Sequence, residues 1–254
     1  MKKMNYLFFP LMIVLFVVGS CSSSDDETPA ASAGCTVVSS CSATQSSDNI
    51  SGIAGNGYLF GTYDKFIHAS NLYTIDNSTG CFSDTSFIAT QTSAGVLPAG
   101  TASFKFQFVV TGSSTFAETM AYYSDSSCAT PILTYAAGYS NLTIGDNLSG
   151  LSVSGKPSTA TKFTYTGSCL SMYPRNDVGA TFLNNLIASS GITTSSGTEY
   201  KCANNNGTTY HGLMNISDSS WDATANDNRT LLVDDEGTSA FSTWDDPSTA
   251  TRLP

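Results

Sequence analysis

Positive charge is scarce in this sequence. Ten Lys and Arg stand against 20 Asp and Glu, for a formal charge of −10. A nucleic-acid backbone is held by clustered Lys and Arg, so nucleic acid is excluded as a main partner. The same deficit excludes docking of the protein surface on anionic lipid, and the acidic balance reads as plain solubility. Histidine is scarcer still, at 2 residues, and none of the 7 cysteines stands in a C-x-x-C pair. Zinc would therefore lack ligands at a suitable spacing. No G-x-S-x-G, H-E-x-x-H or Walker loop occurs. Gly52, Gly55 and Gly57 run G-x-x-G-x-G with no helical pattern behind them, which reads as a loop and not a dinucleotide fingerprint. His68 and His211 read as ordinary strand or loop residues; a triad would need Ser and Asp brought from elsewhere. The acidic clusters Asp25-Asp26-Glu27, Asp234-Asp235-Glu236 and Asp245-Asp246 read as solvated turns, since none has the EF-hand spacing of a calcium loop. No spacing selects a pair of catalytic carboxylates. The residues point to no catalytic group, no metal and no cofactor.

An apolar run long enough to span a bilayer is also missing. A shorter one, residues 6–18, follows Lys2 and Lys3 and precedes Gly19-Ser20-Cys21. A charged start, a short apolar stretch and a small-residue site are the parts of a secretory signal. The ending Val18-Gly19-Ser20-Cys21 resembles the lipobox of bacterial lipoproteins. That resemblance implies cleavage before Cys21 and lipidation of Cys21, with residues 1–20 as signal. Ser22, by resemblance to the sorting rule of enteric bacteria, implies the outer membrane. Several acyl chains would anchor the protein stably without a spanning segment. Losing Lys2 and Lys3 would make the mature chain two charges more negative.

With Cys21 lipidated, Cys35, Cys41, Cys81, Cys128, Cys169 and Cys202 remain. An even number of cysteines in an exported chain reads as disulfides and leaves the connectivity open. The working assignment is Cys35–Cys41, Cys81–Cys128 and Cys169–Cys202. Residues 21–48 are Ser, Ala, Thr, Pro and acids, with little to bury, and are expected to form a flexible tether. That leaves residues 49–254 as one domain, large enough for a real core and without an internal repeat.

What the chain does contain is aromatic residues at strand spacing. Phe104, Phe106, Phe108 and Val110 fall at every second position, with Lys105 and Gln107 between them, giving one oily face and one wet one. Gly112-Ser113-Ser114 breaks the run, and a second strand covers 116–123. Ser124-Asp125-Ser126-Ser127 turns the chain into a third strand over 132–139, so an antiparallel meander is expected. Further strands are expected at 58–66, 71–76, 87–90, 151–153, 161–166, 198–203, 209–216 and 230–234. One helix is expected near 177–190, capped by Asp177, with Val178, Phe182 and Leu186 as its buried stripe. Short strands and frequent turns imply an all-β fold: an antiparallel meander that closes as a barrel, or a sandwich.

The run Met120 to Cys128 followed by Pro131 to Tyr139 resembles a hairpin of lipocalin-like domains. The similar proteins are secreted and lipoprotein forms akin to the adenomatosis-polyposis-coli-down-regulated extracellular domain. In these a Tyr-x-Asp-x-x-Cys turn leads to a strand ending in a glycine and an aromatic, here Gly138 and Tyr139. Asp245-Asp246-Pro247 to Arg252-Leu253-Pro254 resembles the closing strand. Gly61-Thr62-Tyr63 stands where lipocalins have Gly-x-Trp, so the resemblance implies Arg252 packed over the Tyr63 ring, a contact worth about 1 kcal/mol. It implies a lipocalin-like β-barrel whose calyx takes hydrophobic small molecules or a lipidated partner, without catalysis.

The expected ligand-binding residues are Phe104, Phe106, Phe108, Tyr135, Tyr139, Phe163 and Tyr165, which line a cavity or fill a core. The expected function is a lipid-anchored envelope protein binding a hydrophobic small molecule, lipid or envelope partner. The alternative is a structural or adhesive β-sandwich presenting loops to a protein or glycan.

Overall fold

The computed structural model describes residues 36–44, 46, 48, 50–51, 60–63, 65–68, 71–76, 79–154, 156–188, 191–204, 208–216, 230–237, 239–244 and 248–251. For 60–63, 65–68, 71–72, 216, 230–237 and 248–251 the description is of the backbone. The expected signal, Cys21, Cys35 and Arg252 lie outside the described residues, and so does the Arg252–Tyr63 contact.

The chain is mostly β, with two short helices. In order come β1 (Phe60–Tyr63), β2 (Lys65–His68), β3 (Asn71–Thr74), α1 (Thr85–Ser93), β4 (Ser103–Gly112), β5 (Thr115–Tyr123), β6 (Pro131–Ser149), β7 (Thr159–Pro174), α2 (Asp177–Leu186), β8 (Tyr200–Ala203), β9 (Thr209–Ile216), β10 (Thr230–Gly237) and β11 (Ser248–Thr251). Nine strands make one antiparallel sheet in the order β6-β5-β4-β1-β11-β10-β9-β7-β8, with a further pairing of β6 on β7; β2 and β3 form a separate hairpin.

The meander β4–β5–β6 stands as expected, and its register explains the core. Phe104 faces Tyr122, Phe106 faces Met120, Phe108 faces Glu118 and Val110 faces Phe116. The next strand continues the rows: Phe116 with Tyr139, Glu118 with Ala137, Met120 with Tyr135 and Tyr122 with Leu133. Directly opposed residues share a face, so alternation on each strand adds up to one continuous apolar surface. A smaller cluster of Ala160, Leu213 and Trp244 covers part of the opposite face. There the Trp244 indole N–H donates to the Pro157 carbonyl at 2.8 Å.

The turn between β5 and β6 is organised by one carboxylate. Asp125 accepts from the backbone N–H of Ser127 at 2.9 Å and of Thr130 at 2.6 Å, and from the Ser127 hydroxyl at 2.5 Å. The Ala129 N–H reaches it at 3.1 Å. The Ser127 hydroxyl first, and then these backbone donors, hold its carboxyl well below the usual range. The loop carries Cys128 at φ 57°, a left-handed residue at the disulfide to Cys81. Thus the Tyr-x-Asp-x-x-Cys pattern encodes a cross-linked turn.

Several expectations need correction. Residues 87–90 are not a strand but part of helix α1, because the Asp84 side chain accepts from the Phe87 N–H at 2.8 Å and caps it. Phe87, Ile88 and Gln91 are its buried side. Residues 151–153 are not a strand either. Strand β6 instead runs on to Ser149, with register shifts at Gly138/Tyr139, Ser140/Thr143 and Ile144/Asn147. Each shift breaks the period of two that a pattern search needs. The cap of α2 is Asn176, accepting from the Gly179 N–H at 2.9 Å, and not Asp177. Its buried side is Gly179, Ala180 and Leu183, whereas Val178 is 42% exposed.

The disulfide assignment holds only at Cys81–Cys128. Cys41 pairs with Cys169, 128 residues away, so Cys35–Cys41 and Cys169–Cys202 do not form. Cys202 is disulfide-bonded to a cysteine outside the described residues. Consequently the expected tether is held at Thr36, Val37 and Ser46. Val37 bridges Cys202, Ala203 N–H donates to the Thr36 carbonyl at 2.8 Å, and Ser46 N–H donates to the Val110 carbonyl at 2.9 Å. Composition measures what a segment can bury, but not what a cross-link and an open strand edge can hold.

Candidate ligand site

All seven expected ligand-binding aromatics belong to one hydrophobic cluster. Phe104, Phe108, Tyr135, Tyr139, Phe163 and Tyr165 are buried, and Phe106 is half-buried against them. Strand alternation brings them together, and they sort into two groups along the apolar face.

One group is a ladder of rings. Phe108 stacks on Phe116 at 4.9 Å, and Phe116 on Tyr139 at 4.7 Å. Tyr165 meets Phe116 and Tyr139 edge-on, each at 5.1 Å, and stacks with Phe163 at 5.8 Å and Tyr210 at 5.4 Å. Such pairs each add about 0.5–1.5 kcal/mol beyond the area they bury. Within this group sits Glu118, only 2% exposed, with the Tyr139 hydroxyl donating to its Oε2 at 3.3 Å. A carboxylate in apolar surroundings is costly without partners.

The other group lies toward the helices. Phe104 contacts Phe82 at 4.8 Å, and Phe82 contacts Phe87 of α1 at 5.4 Å. Tyr122 meets Phe104 at 6.5 Å and Phe182 of α2 at 6.4 Å. The Tyr122 and Tyr135 hydroxyls lie 3.1 Å apart and are both buried. Burial pushes Tyr122 up to about 12, the bond to Tyr135 opposing the shift. Burial also raises Tyr135 well above its ordinary value, with Tyr122 adding to the rise. Both hydroxyls stay protonated at any physiological pH, and either can donate to the other.

Sequence reading missed Phe116, Glu118, Tyr122 and Tyr210. A signal for the first three was present, since Phe116, Glu118, Met120 and Tyr122 occupy alternate positions and so share the oily face. Tyr210 depends on the β7–β9 register, which places it opposite Tyr165.

A cleft of about 250 Å³ opens elsewhere, lined by Val37, Val38, Ile192, Glu199, Tyr200 and Lys201. Its charges are paired: Lys201 lies 3.2 Å from Glu199, which accepts from the Ser171 hydroxyl at 2.6 Å. That hydroxyl, more than any other contact, lowers the Glu199 carboxyl.

His211 is half-buried on β9, and its side chain has no hydrogen bond or ion pair among the described residues. The side chains of His68 and of Asp234-Asp235-Glu236 lie outside the described set, as do Asp25-Asp26-Glu27 and Asp245-Asp246. Among the described residues no three His, Cys, Asp or Glu side chains gather as a metal site. No helix among them is long and apolar enough to cross a membrane. The disulfides suggest an oxidising, extracellular or periplasmic compartment. No protein-family model and no curated protein matches this chain.

Proposed function

We propose that this chain is a lipid-anchored protein of the cell envelope whose sheet closes as a lipocalin-like barrel. Against its aromatic face it binds a hydrophobic small molecule or lipid, and it performs no chemistry. The observation that carries the reading is the single aromatic face shared by β4, β5, β6, β7 and β9. Closure draws support from the pairings of β1 with β4 and β11, of β10 with β11 and β9, and of β7 with β9 and β6. Such a circuit would turn the apolar face inward and remove open edges, which is how a small barrel makes a ligand pocket. The lipobox-like Cys21 supports anchoring, and the disulfides support an exported location.

Native mass spectrometry of the protein extracted from membranes in mild detergent tests this reading. The expected spectrum contains a one-to-one adduct of lipid mass that organic extraction removes. A bare protein that also fails to bind an added apolar fluorophore would overturn it.

A second reading, an adhesive or structural module, is favoured by one observation. The rings from Phe108 to Tyr210 touch one another as a filled core does. On that reading no apolar probe binds, and loops or the Val37 cleft meet a protein or glycan.

A further inference from the structure

The Tyr122–Tyr135 pair has a hydrogen to spare. Two hydroxyls carry two hydrogens, and the bond between them uses one. Tyr122 is 3% exposed and Tyr135 6%, so solvent does not take the other. Among the described residues neither hydroxyl has another hydrogen-bond partner. Each oxygen has the other as its partner, and the hydrogen left over is available to an acceptor that arrives with something bound. The surroundings say what kind. Tyr122 stands opposite Phe104 and Leu133, and Tyr135 opposite Met120 and Met172, so the rest of the neighbourhood is apolar. Phe182 of α2 closes over Tyr122 from the helix side.

We propose that the Tyr122–Tyr135 pair is the polar anchor of the ligand site, donating one hydrogen bond to an uncharged carbonyl oxygen of an otherwise apolar ligand such as an acyl ester. This rests on the reading of the aromatic face as a ligand surface. An uncharged acceptor fits better than a carboxylate because no described cation faces the pair. Lys105 alternates with Phe104 and Phe106 onto the other face. Arg175 lies over Tyr173, which is opposite Thr134 and so also points away. The one described acidic side chain on the apolar face is Glu118, which offers a carboxylate no opposite charge. Chaining the two hydroxyls strengthens the outward donor, because each hydrogen bond polarises the next.

The probes are the methyl ester of cis-parinaric acid and the matching C18 tetraene hydrocarbon, followed by fluorescence titration. Wild-type protein should bind the ester several-fold to about tenfold more tightly than the hydrocarbon, the worth of one net hydrogen bond. Y122F/Y135F should lose that preference, read as the ratio of the two affinities in the same variant. Each single variant should keep it, since one hydroxyl hydrogen remains. Replacing both partners by ring-conserving Phe should leave the melting temperature equal or higher. A measurement independent of the variants is the ester carbonyl stretch, which the donor should shift to lower frequency on binding. Equal affinity for the two probes, or a preference that survives in Y122F/Y135F, would overturn the anchor and leave the apolar site standing. Failure of wild type to bind either probe would instead overturn the ligand-surface reading, and the anchor with it.

Discussion

Gly138 offers the sharpest test of the packing. It lies opposite Cys169 on β7 and Ala117 on β5, in the middle of the sheet. A Cβ placed there would stand 2.7 Å from the Cys169 sulfur and 3.6 Å from the Cys41 sulfur. The Cys41–Cys169 disulfide therefore crosses directly above the glycine, and Gly138→Ala forces a methyl group into sulfur. Overpacking of this kind costs about 1–3 kcal/mol, offset by up to ~1 kcal/mol from replacing a flexible glycine in a strand. In a C41A/C169A background the sulfurs are gone, and the added methyl enters the space they leave. There the same substitution should be neutral or stabilising. The double-mutant cycle thus predicts a coupling of about 1–3 kcal/mol, read from urea unfolding midpoints at constant m. The disulfide encloses 128 residues, and chain entropy puts its own contribution at about 5 kcal/mol, against ~4 kcal/mol for the 47-residue loop of Cys81–Cys128. The cycle is best run in a stabilising osmolyte for that reason. An equal cost for Gly138→Ala in both backgrounds would refute the placement of the cystine.

Three further outcomes follow from local contacts. Asp125→Ala should lower the melting temperature by freeing the N–H groups of Ser127, Ala129 and Thr130, with Asp125→Asn recovering part of the loss. Its carboxyl is depressed in the folded state, so its contribution is full above the ordinary carboxylate range, near pH 4, and fades as pH falls toward the lower folded value. Melting curves between pH 5 and about pH 2 should show wild type losing more stability than Asp125→Ala; parallel curves would contradict the turn account. Asp84→Ala removes the cap of α1 and should cost about 1 kcal/mol in chemical denaturation. Gly179→Ala should cost more, because its Cβ would collide with the Ile132 carbonyl and lift α2 off the sheet. Unchanged stability would mean that the helix is not seated there.

What could be read from sequence was whatever repeats locally. Phe104, Phe106 and Phe108 announce an oily strand face, and residues 209–216 match β9 from end to end. The same periodicity also places Glu118 on that face, though an isolated acid among apolar residues is easily passed over. Helix α1 was hidden because Phe87 and Ile88 are adjacent among Thr and Ser, which looks like a strand until Asp84 is seen as a cap. The length of β6 was hidden by its register shifts. Pairing of Cys41 with Cys169 and contact of Tyr122 with Tyr135 depend on which strands meet and in what register. The two tyrosines are diagonal neighbours across β5 and β6, a relation that only the register supplies.

The proposal that the sheet encloses its aromatic face stands or falls on the strands farthest apart in the chain. Thr62 of β1 is the register partner of Thr251 of β11. Cross-strand partners sit at about 4.5–5.5 Å between Cα atoms, within reach of a disulfide. In T62C/T251C, peptide mapping after mild oxidation should find residues 62 and 251 joined, with binding of the parinaric ester retained. Free, readily alkylated thiols at both positions would mean that β1 and β11 do not meet, and the enclosed face would be lost with them.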